Sequence, residues 1–231
     1  MGDEAPQCKV EYVDVDPVEE TNWIKRAGKC KVTYVNGHIF EGTFDAERLK
    51  QGEGSYMWME KVGEDGEVVE KARFTGVYKD GLKAGYGEMK FPTGDLYQGE
   101  WFENAIQGTG SYTYKNGDIY SGSWSAGKKN GEGTYFYKAD SSVIKGTWVD
   151  GELTTGTWEL YTGDGYVYAT YTGAFKWGKP FGDGQFDFPI SQLAQTGKFE
   201  EIKVPGEEEP AEGEAAKAPN VAWKGDSIVA F

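Results

Sequence analysis

Two neighbouring stretches of the chain can be laid on one another almost residue for residue: YQGEWFENAIQGTGSYTYKNGDI from Tyr97 to Ile119, and YSGSWSAGKKNGEGTYFYKADSSV from Tyr120 to Val143. Each opens on Tyr-x-Gly-x-Trp (Tyr97, Gly99, Trp101; Tyr120, Gly122, Trp124) and reaches a Gly-x-Gly (Gly108 and Gly110; Gly131 and Gly133). Two alternating aromatics follow in each, Tyr112 and Tyr114, then Tyr135 and Tyr137. A unit this short cannot bury a core alone, so a repeat of this period dictates a stacked array.

Scanned outward, the pattern divides the chain. Residues 1–27 form an N-terminal extension in which Val10 to Asp16 alternates like a short strand. A half unit spans 28–39, and full units start at 40, 74, 97, 120, 144 and 171, so the array covers 28–188. An acidic insert, 59–71, interrupts the first full unit, and the fifth keeps Gly156 but carries Trp158 where the second glycine is expected. Beyond the array, residues 189–231 read as a helix-like segment (PISQLAQT), an acidic extended linker and an apolar tip containing Trp223, Ile228 and Phe231. That tip is expected to dock onto a groove, its own or a partner's.

Alternation has period two, which places Tyr97, Gly99 and Trp101 on one face of a strand and Gln98, Glu100 and Phe102 on the other. Gly108, Gly110, Tyr112 and Tyr114 form the matching face of a second strand, and Lys115-Asn116-Gly117 is a tight-turn signal. Each unit therefore reads as a β-hairpin. Glycine weakens a strand by roughly 0.5–1 kcal/mol relative to alanine, so its recurrence on the aromatic face implies rings leaning over from neighbouring strands. One face becomes an aromatic-glycine groove and the other a wet polar surface. The groove aromatics Tyr97, Trp101, Tyr112, Tyr114, Tyr120, Trp124, Tyr135, Tyr137, Trp148 and Tyr171 are both the candidate core and the candidate partner-binding site.

Repeated six times, this pattern resembles the MORN repeat. The resemblance implies an all-β fold: an elongated, twisted, single-layer antiparallel sheet of stacked β-hairpins that serves as a scaffold for protein–protein assembly. Among proteins with such repeats, an acidic chain with little besides the array and a short tail is most similar to the radial spoke head proteins of motile cilia and flagella. That similarity implies other spoke head subunits as partners, a second copy of the chain as a further partner, and a location in the cytoskeleton of the axoneme. The alternative is a membrane-apposed adaptor or regulatory scaffold outside cilia.

Composition narrows the remaining function classes. The net charge of −14 opposes contact with nucleic acid or anionic lipid. No apolar run approaches the roughly 20 residues that span a bilayer, and the acidic N-terminus lacks a secretory core, which predicts a protein of the cytoplasm and cytoskeleton. The Gly-x-Gly triplets lack the Gly-Lys-Ser/Thr ending of a phosphate loop. His38 is the only histidine and is read as a solvent-exposed turn residue, and Cys8 and Cys30 have no metal-ligand partners. Asp14-Val15-Asp16 and Glu64-Asp65-Gly66-Glu67 lack calcium-loop spacing and read as solvated acidic loops. The sequence thus predicts a non-enzymatic protein with no catalytic residues, no metal and no cofactor.

Overall fold

The computed structural model describes residues 8–12, 27–63, 66–202 and 220–230, and every element in it is a strand. The chain divides into two compact units, Met1–Lys115 and Asn116–Phe231. The first holds β1 (Cys8–Tyr12), β2 (Gly28–Tyr34), β3 (Ile39–Phe44), β4 (Lys50–Val62), β5 (Glu67–Lys79), β6 (Leu82–Lys90), β7 (Leu96–Phe102) and β8 (Ala105–Thr113). The second holds β9 (Ile119–Ser125), β10 (Lys128–Phe136), β11 (Val143–Val149), β12 (Glu152–Tyr161), β13 (Val167–Lys176), β14 (Lys179–Phe188), β15 (Leu193–Glu201) and β16 (Val221–Ala230). Within each unit the strands follow chain order and pair antiparallel, which is the all-β array of hairpins that the repeat implied.

Local chemistry sets the hairpins. The β5–β6 turn runs through Asp80 and Gly81 (φ 51° and 83°) and the β11–β12 turn through Asp150 and Gly151 (φ 51° and 96°). Two successive left-handed residues are the mark of the tight turn whose twist matches antiparallel strands, and Asp-Gly suits it best. The β7–β8 ladder then shows why each unit carries two glycines. Gly99 faces Gly110, but Trp101 faces Ile106, so a β-bulge lies between them. Gly108 sits in that bulge at φ 71°. An added Cβ there would meet the Glu100 carboxylate, so Gly108 belongs to the polar side rather than to the aromatic face expected for it.

Gly110 is needed for a different reason. An added Cβ would lie closer than 3.0 Å to the Tyr97 ring. Tyr97 has no exposed area; it folds along its own strand and covers both Gly99 and Gly110, instead of leaning in from a neighbour. Phe40, Phe74, Tyr120 and Tyr171 cover their glycine pairs in the same way. In the β1–β2 pair the logic is inverted. The fully buried Val10 stands where the ring would be and faces Val32, and Tyr12 faces Cys30 where the glycines would be, Cys30 in turn facing Gly42 on β3.

Several expectations change here. Gly146 faces Gly156, Ile144 faces Trp158, and the bulge falls at Thr154. Gly156 is therefore the second glycine of the fifth hairpin, Thr154 replaces the first, and Trp158 occupies the position of the first aromatic. The segment 189–196 is not helical. Ser191 N–H donates to Phe188 O (3.1 Å) and Gln192 N–H to Pro189 O (3.3 Å), and the chain turns straight into β15. A helix that short is marginal in water, whereas β15 gains a ladder on each side, with β14 and β16.

The described part of the acidic insert extends the β4–β5 ladder as far as Val62 and Glu67, so it is not a loop there; residues 64 and 65 lie outside the described residues. The N-terminal strand runs from Cys8 to Tyr12 rather than from Val10, and Asp14-Val15-Asp16 lies outside the described residues. At the other end, 203–219 and Phe231 also lie outside them.

β15 carries a copy of the opening motif that the repeat scan missed, Gln195-x-Gly197-x-Phe199, with Gly197 facing Gly225 and Phe199 facing Trp223 on β16. Gln195 takes the place of the covering ring. It sits against Gly225, donates to Asp226 O (2.7 Å) and accepts from Trp223 Nε1 (3.1 Å). The tail thus adds a strand to its own sheet, with Trp223 edge-on to Phe186 (5.1 Å between centroids). Ile228 stays mostly exposed.

Candidate interaction groove

The aromatic face of each unit is built as a zipper. The first ring of a hairpin meets the third ring of its own motif edge-on, as in Tyr97–Trp101 (5.5 Å) and Tyr120–Trp124 (5.1 Å). It also meets the third ring of the following hairpin, as in Phe74–Trp101 (5.2 Å), Tyr120–Trp148 (5.1 Å) and Tyr171–Phe199 (5.5 Å). Edge-to-face pairs at these distances are worth about 0.5–1.5 kcal/mol beyond the area they bury. Where the first ring is tyrosine, its hydroxyl is satisfied by the carbonyl three residues on: Tyr97 donates to Glu100 O (3.1 Å), Tyr120 to Ser123 O (3.0 Å) and Tyr171 to Ala174 O (3.2 Å).

This sorts the ten groove aromatics. Tyr97, Trp101, Tyr120, Trp124, Trp148 and Tyr171 are buried. Tyr97, Tyr120 and Tyr171 have no exposed area and the three tryptophans keep only 4–6% of theirs, so these six are core. Tyr112, Tyr114, Tyr135 and Tyr137 are half-buried. They pack in tilted pairs along the groove, Tyr112–Tyr114 at 4.7 Å and Tyr135–Tyr137 at 4.6 Å.

Carboxylates in the turns fix the first tyrosine of each pair. Asp95 accepts from the Tyr112 hydroxyl (3.0 Å), the Thr93 hydroxyl (2.6 Å) and the Lys115 amide (2.7 Å). Asp118 accepts from the Tyr135 hydroxyl (3.0 Å), the Asn116 side-chain amide (2.9 Å) and the Lys138 amide (2.9 Å). His38 holds the equivalent place in the first full hairpin, with Nδ1 3.1 Å from the Tyr56 hydroxyl. It is a half-buried clamp and not the exposed turn residue expected.

Burial alone would raise the Asp118 pKa, but the Lys138, Asn116 and Tyr135 donors outweigh it and hold it below 3.8. Its contribution is therefore fully present above the unfolded carboxylate value and lost as pH falls through the lower folded one. Asp118→Ala is expected to cost about 2 kcal/mol at neutral pH and progressively less in acid, as read by urea denaturation of both chains across pH; an equal cost at acid and neutral pH would contradict the clamp.

The groove also holds cations. Lys50 lies over Phe40, Tyr56 and Tyr78 (4.8–5.6 Å), Lys83 over Trp58, Phe74 and Trp101 (4.8–5.3 Å), and Lys129 over Tyr120 and Tyr135 (5.1 and 4.7 Å). Each is half-buried, and desolvation pushes its pKa down. The polar face is different: cross-strand pairs such as Ser55–Thr75, Gln98–Glu88 and Lys145–Glu159 line it in water.

Repeat counting pointed away from Trp177, which lines the groove of the second unit. It occupies a turn position at φ 52°, costly for a bulky side chain, and packs against Phe181 (5.5 Å) and the Lys176 ammonium (4.0 Å). A tryptophan in a slot that normally asks for Asn, Asp or Gly was the signal.

A search of curated proteins returned no match to this chain. A scan against protein families matches the MORN repeat at residues 74–96, 97–119, 120–141 and 171–191. These are the hairpins whose ring, glycine pair and turn follow one pattern: the chain carries MORN repeats in four places, within an all-β array that continues the same packing on either side of them.

Proposed function

We propose that the chain is a non-enzymatic scaffold whose aromatic groove takes an extended segment of another protein, and that it serves as a radial spoke head component of the ciliary or flagellar axoneme. The MORN repeats support the interaction role in general. The observation that carries the groove reading is the division of the aromatic face: a fully buried zipper makes a stiff floor, and half-buried tyrosines clamped by Asp95 and Asp118 stand on it. Rings held this way lose little freedom on binding, which favours aromatic-lined grooves as peptide sites. The spoke head assignment rests on the acidic, repeat-dominated character of the chain and on the resemblance it carries.

Affinity isolation of the tagged chain from ciliated cells is expected to recover spoke head subunits, and recovery of only kinases or junctional membrane proteins would overturn the spoke assignment. Tyr112→Ala with Tyr114→Ala is expected to lower capture of those subunits at least tenfold while circular dichroism stays unchanged. Full capture by the folded variant would remove these two rings from the site.

A further inference from the structure

Among the described hairpins, β11–β12 keeps its glycine pair with an aliphatic residue in the ring position. In the hairpins on either side, Tyr120 covers Gly122 and Gly133, and Tyr171 covers Gly173 and Gly184. In β11–β12 the glycine pair is kept, as Gly146 and Gly156, but Ile144 stands where the tyrosine should be. Aliphatic side chains take the place of the ring. A Leu153 methyl lies over Gly146, and the three atoms nearest an added Cβ on Gly156 are all backbone. Above Ile144 and Leu153 an open cavity of about 310 Å3 is lined by Trp148, Tyr135 and Trp177 and, on its polar side, by Lys129 and Glu152.

Two further departures fall on the same hairpin. Ser142 replaces the clamping aspartate and Trp158 the clamped tyrosine; Ser142 Oγ and Trp158 Nε1 are buried without a hydrogen-bond partner. Native proteins leave few such atoms, and two in one hairpin set it apart from its neighbours. Thr154, in place of the bulge glycine, donates its hydroxyl to Thr147 O (3.0 Å). That carbonyl is the acceptor a tyrosine in the Ile144 position would use, so the vacancy suits a ring without a hydroxyl.

We propose that the groove at β11–β12 is a subsite for one phenylalanine side chain of the partner segment, seated against Ile144, Trp148 and Leu153 in the hairpin that carries no covering ring of its own. Repeat symmetry defines the guest. Trp148 offers the ring edge-to-face contact of the kind it makes with Tyr120, and the Lys129 ammonium, already over two rings, stands at the same wall. The subsite rests on the groove reading above and names the anchor that the partner must carry.

N-acetyl-phenylalaninamide titrated into the full chain is expected to shift the methyl resonances of Ile144 and Leu153 with millimolar affinity, and N-acetyl-alaninamide is expected to leave them in place. Ile144→Tyr with Leu153→Lys rebuilds the neighbouring pattern and is expected to weaken the phenylalanine probe at least tenfold; Ile144→Phe serves the same purpose if that variant does not fold. Methyl resonances unmoved at saturation, or equal binding by the filled variants, would overturn the proposal. Spoke subunit capture that depends on Tyr112 and Tyr114, without any probe at Ile144, would retain the groove and remove the subsite. A probe at Ile144 without capture would support the subsite and remove the partner assignment.

Discussion

Gly110→Val is expected to destabilise the first unit by about 3 kcal/mol, at the upper end of what overpacking a core usually costs. The new side chain would begin closer than 3.0 Å to the Tyr97 ring, and that ring is fully buried between strands and cannot swing into solvent. Tyr97→Ala alone is expected to cost about 3–5 kcal/mol, the usual range for deleting a buried aromatic. Together they should cost less than the sum by more than 1 kcal/mol, because valine fills space that the ring vacates. The chain has already made this exchange once, with Val10 in the ring position and Tyr12 facing Cys30 in the glycine positions. Urea denaturation of the two single variants and the double variant closes the cycle. Strict additivity would show that ring and glycine do not share one space.

Raising the pH above 10 is expected to unfold the first unit in one cooperative step, with tyrosinate absorbance and loss of strand dichroism rising together. Burial pushes the hydroxyls of Tyr34, Tyr78, Tyr97 and Tyr112 well above the value of 10.0 they have in the open chain. Between the unfolded and folded values the folded state binds more protons, so stability falls as pH rises. The groove lysines act with the opposite sign. Desolvation lowers the pKa of Lys50 and Lys83 below 10.5, so their penalty on the folded state is relieved as pH approaches 10.5. The lysine effect ends there, while the tyrosine effect begins near 10 and continues, so the tyrosines decide the outcome. Gradual titration of all tyrosines near pH 10 with unchanged dichroism would refute the burial argument.

Much of the fold was legible because a strand repeats every two residues and the motif repeats at a nearly constant interval. Those two periods mark out the hairpins, the aromatic face and the polar face, and they predict the antiparallel ladder from Phe40 to Phe188 well. Less was legible where the ladder slips by one residue. The bulge at Gly108 moves that glycine to the side of Glu100, and the bulge at Thr154 displaces Trp158 by two positions from its expected role. A one-residue slip exchanges the two faces of a strand. Alternation alone does not reveal it.

The candidate site shows the same division. Sequence selected ten aromatics on one face, and composition and spacing could take the selection no further. Burial divided them: Tyr97 lies sealed against Trp101 of its own motif, while Tyr112 packs against Phe91 and Tyr114 and keeps part of its surface open. His38 was misread for a related reason: its partner Tyr56 lies 18 residues away and reaches it only once β3 and β4 pair. The last hairpin was hidden because a long stretch of sequence separates Phe199 from Trp223, and only the register that sets Gly197 against Gly225 exposes it.

What the sequence determined by itself is the unit: a hairpin with a ring, a pair of glycines and a turn, repeated until its apolar face is covered. What only the tertiary structure decided is how each unit spends its space. Glycine and ring compete for the same few ångströms across two strands, and that competition is settled by register and stacking. It leaves Tyr97 sealed, Tyr112 clamped at the surface, and the Gly146–Gly156 pair without the ring that covers its neighbours.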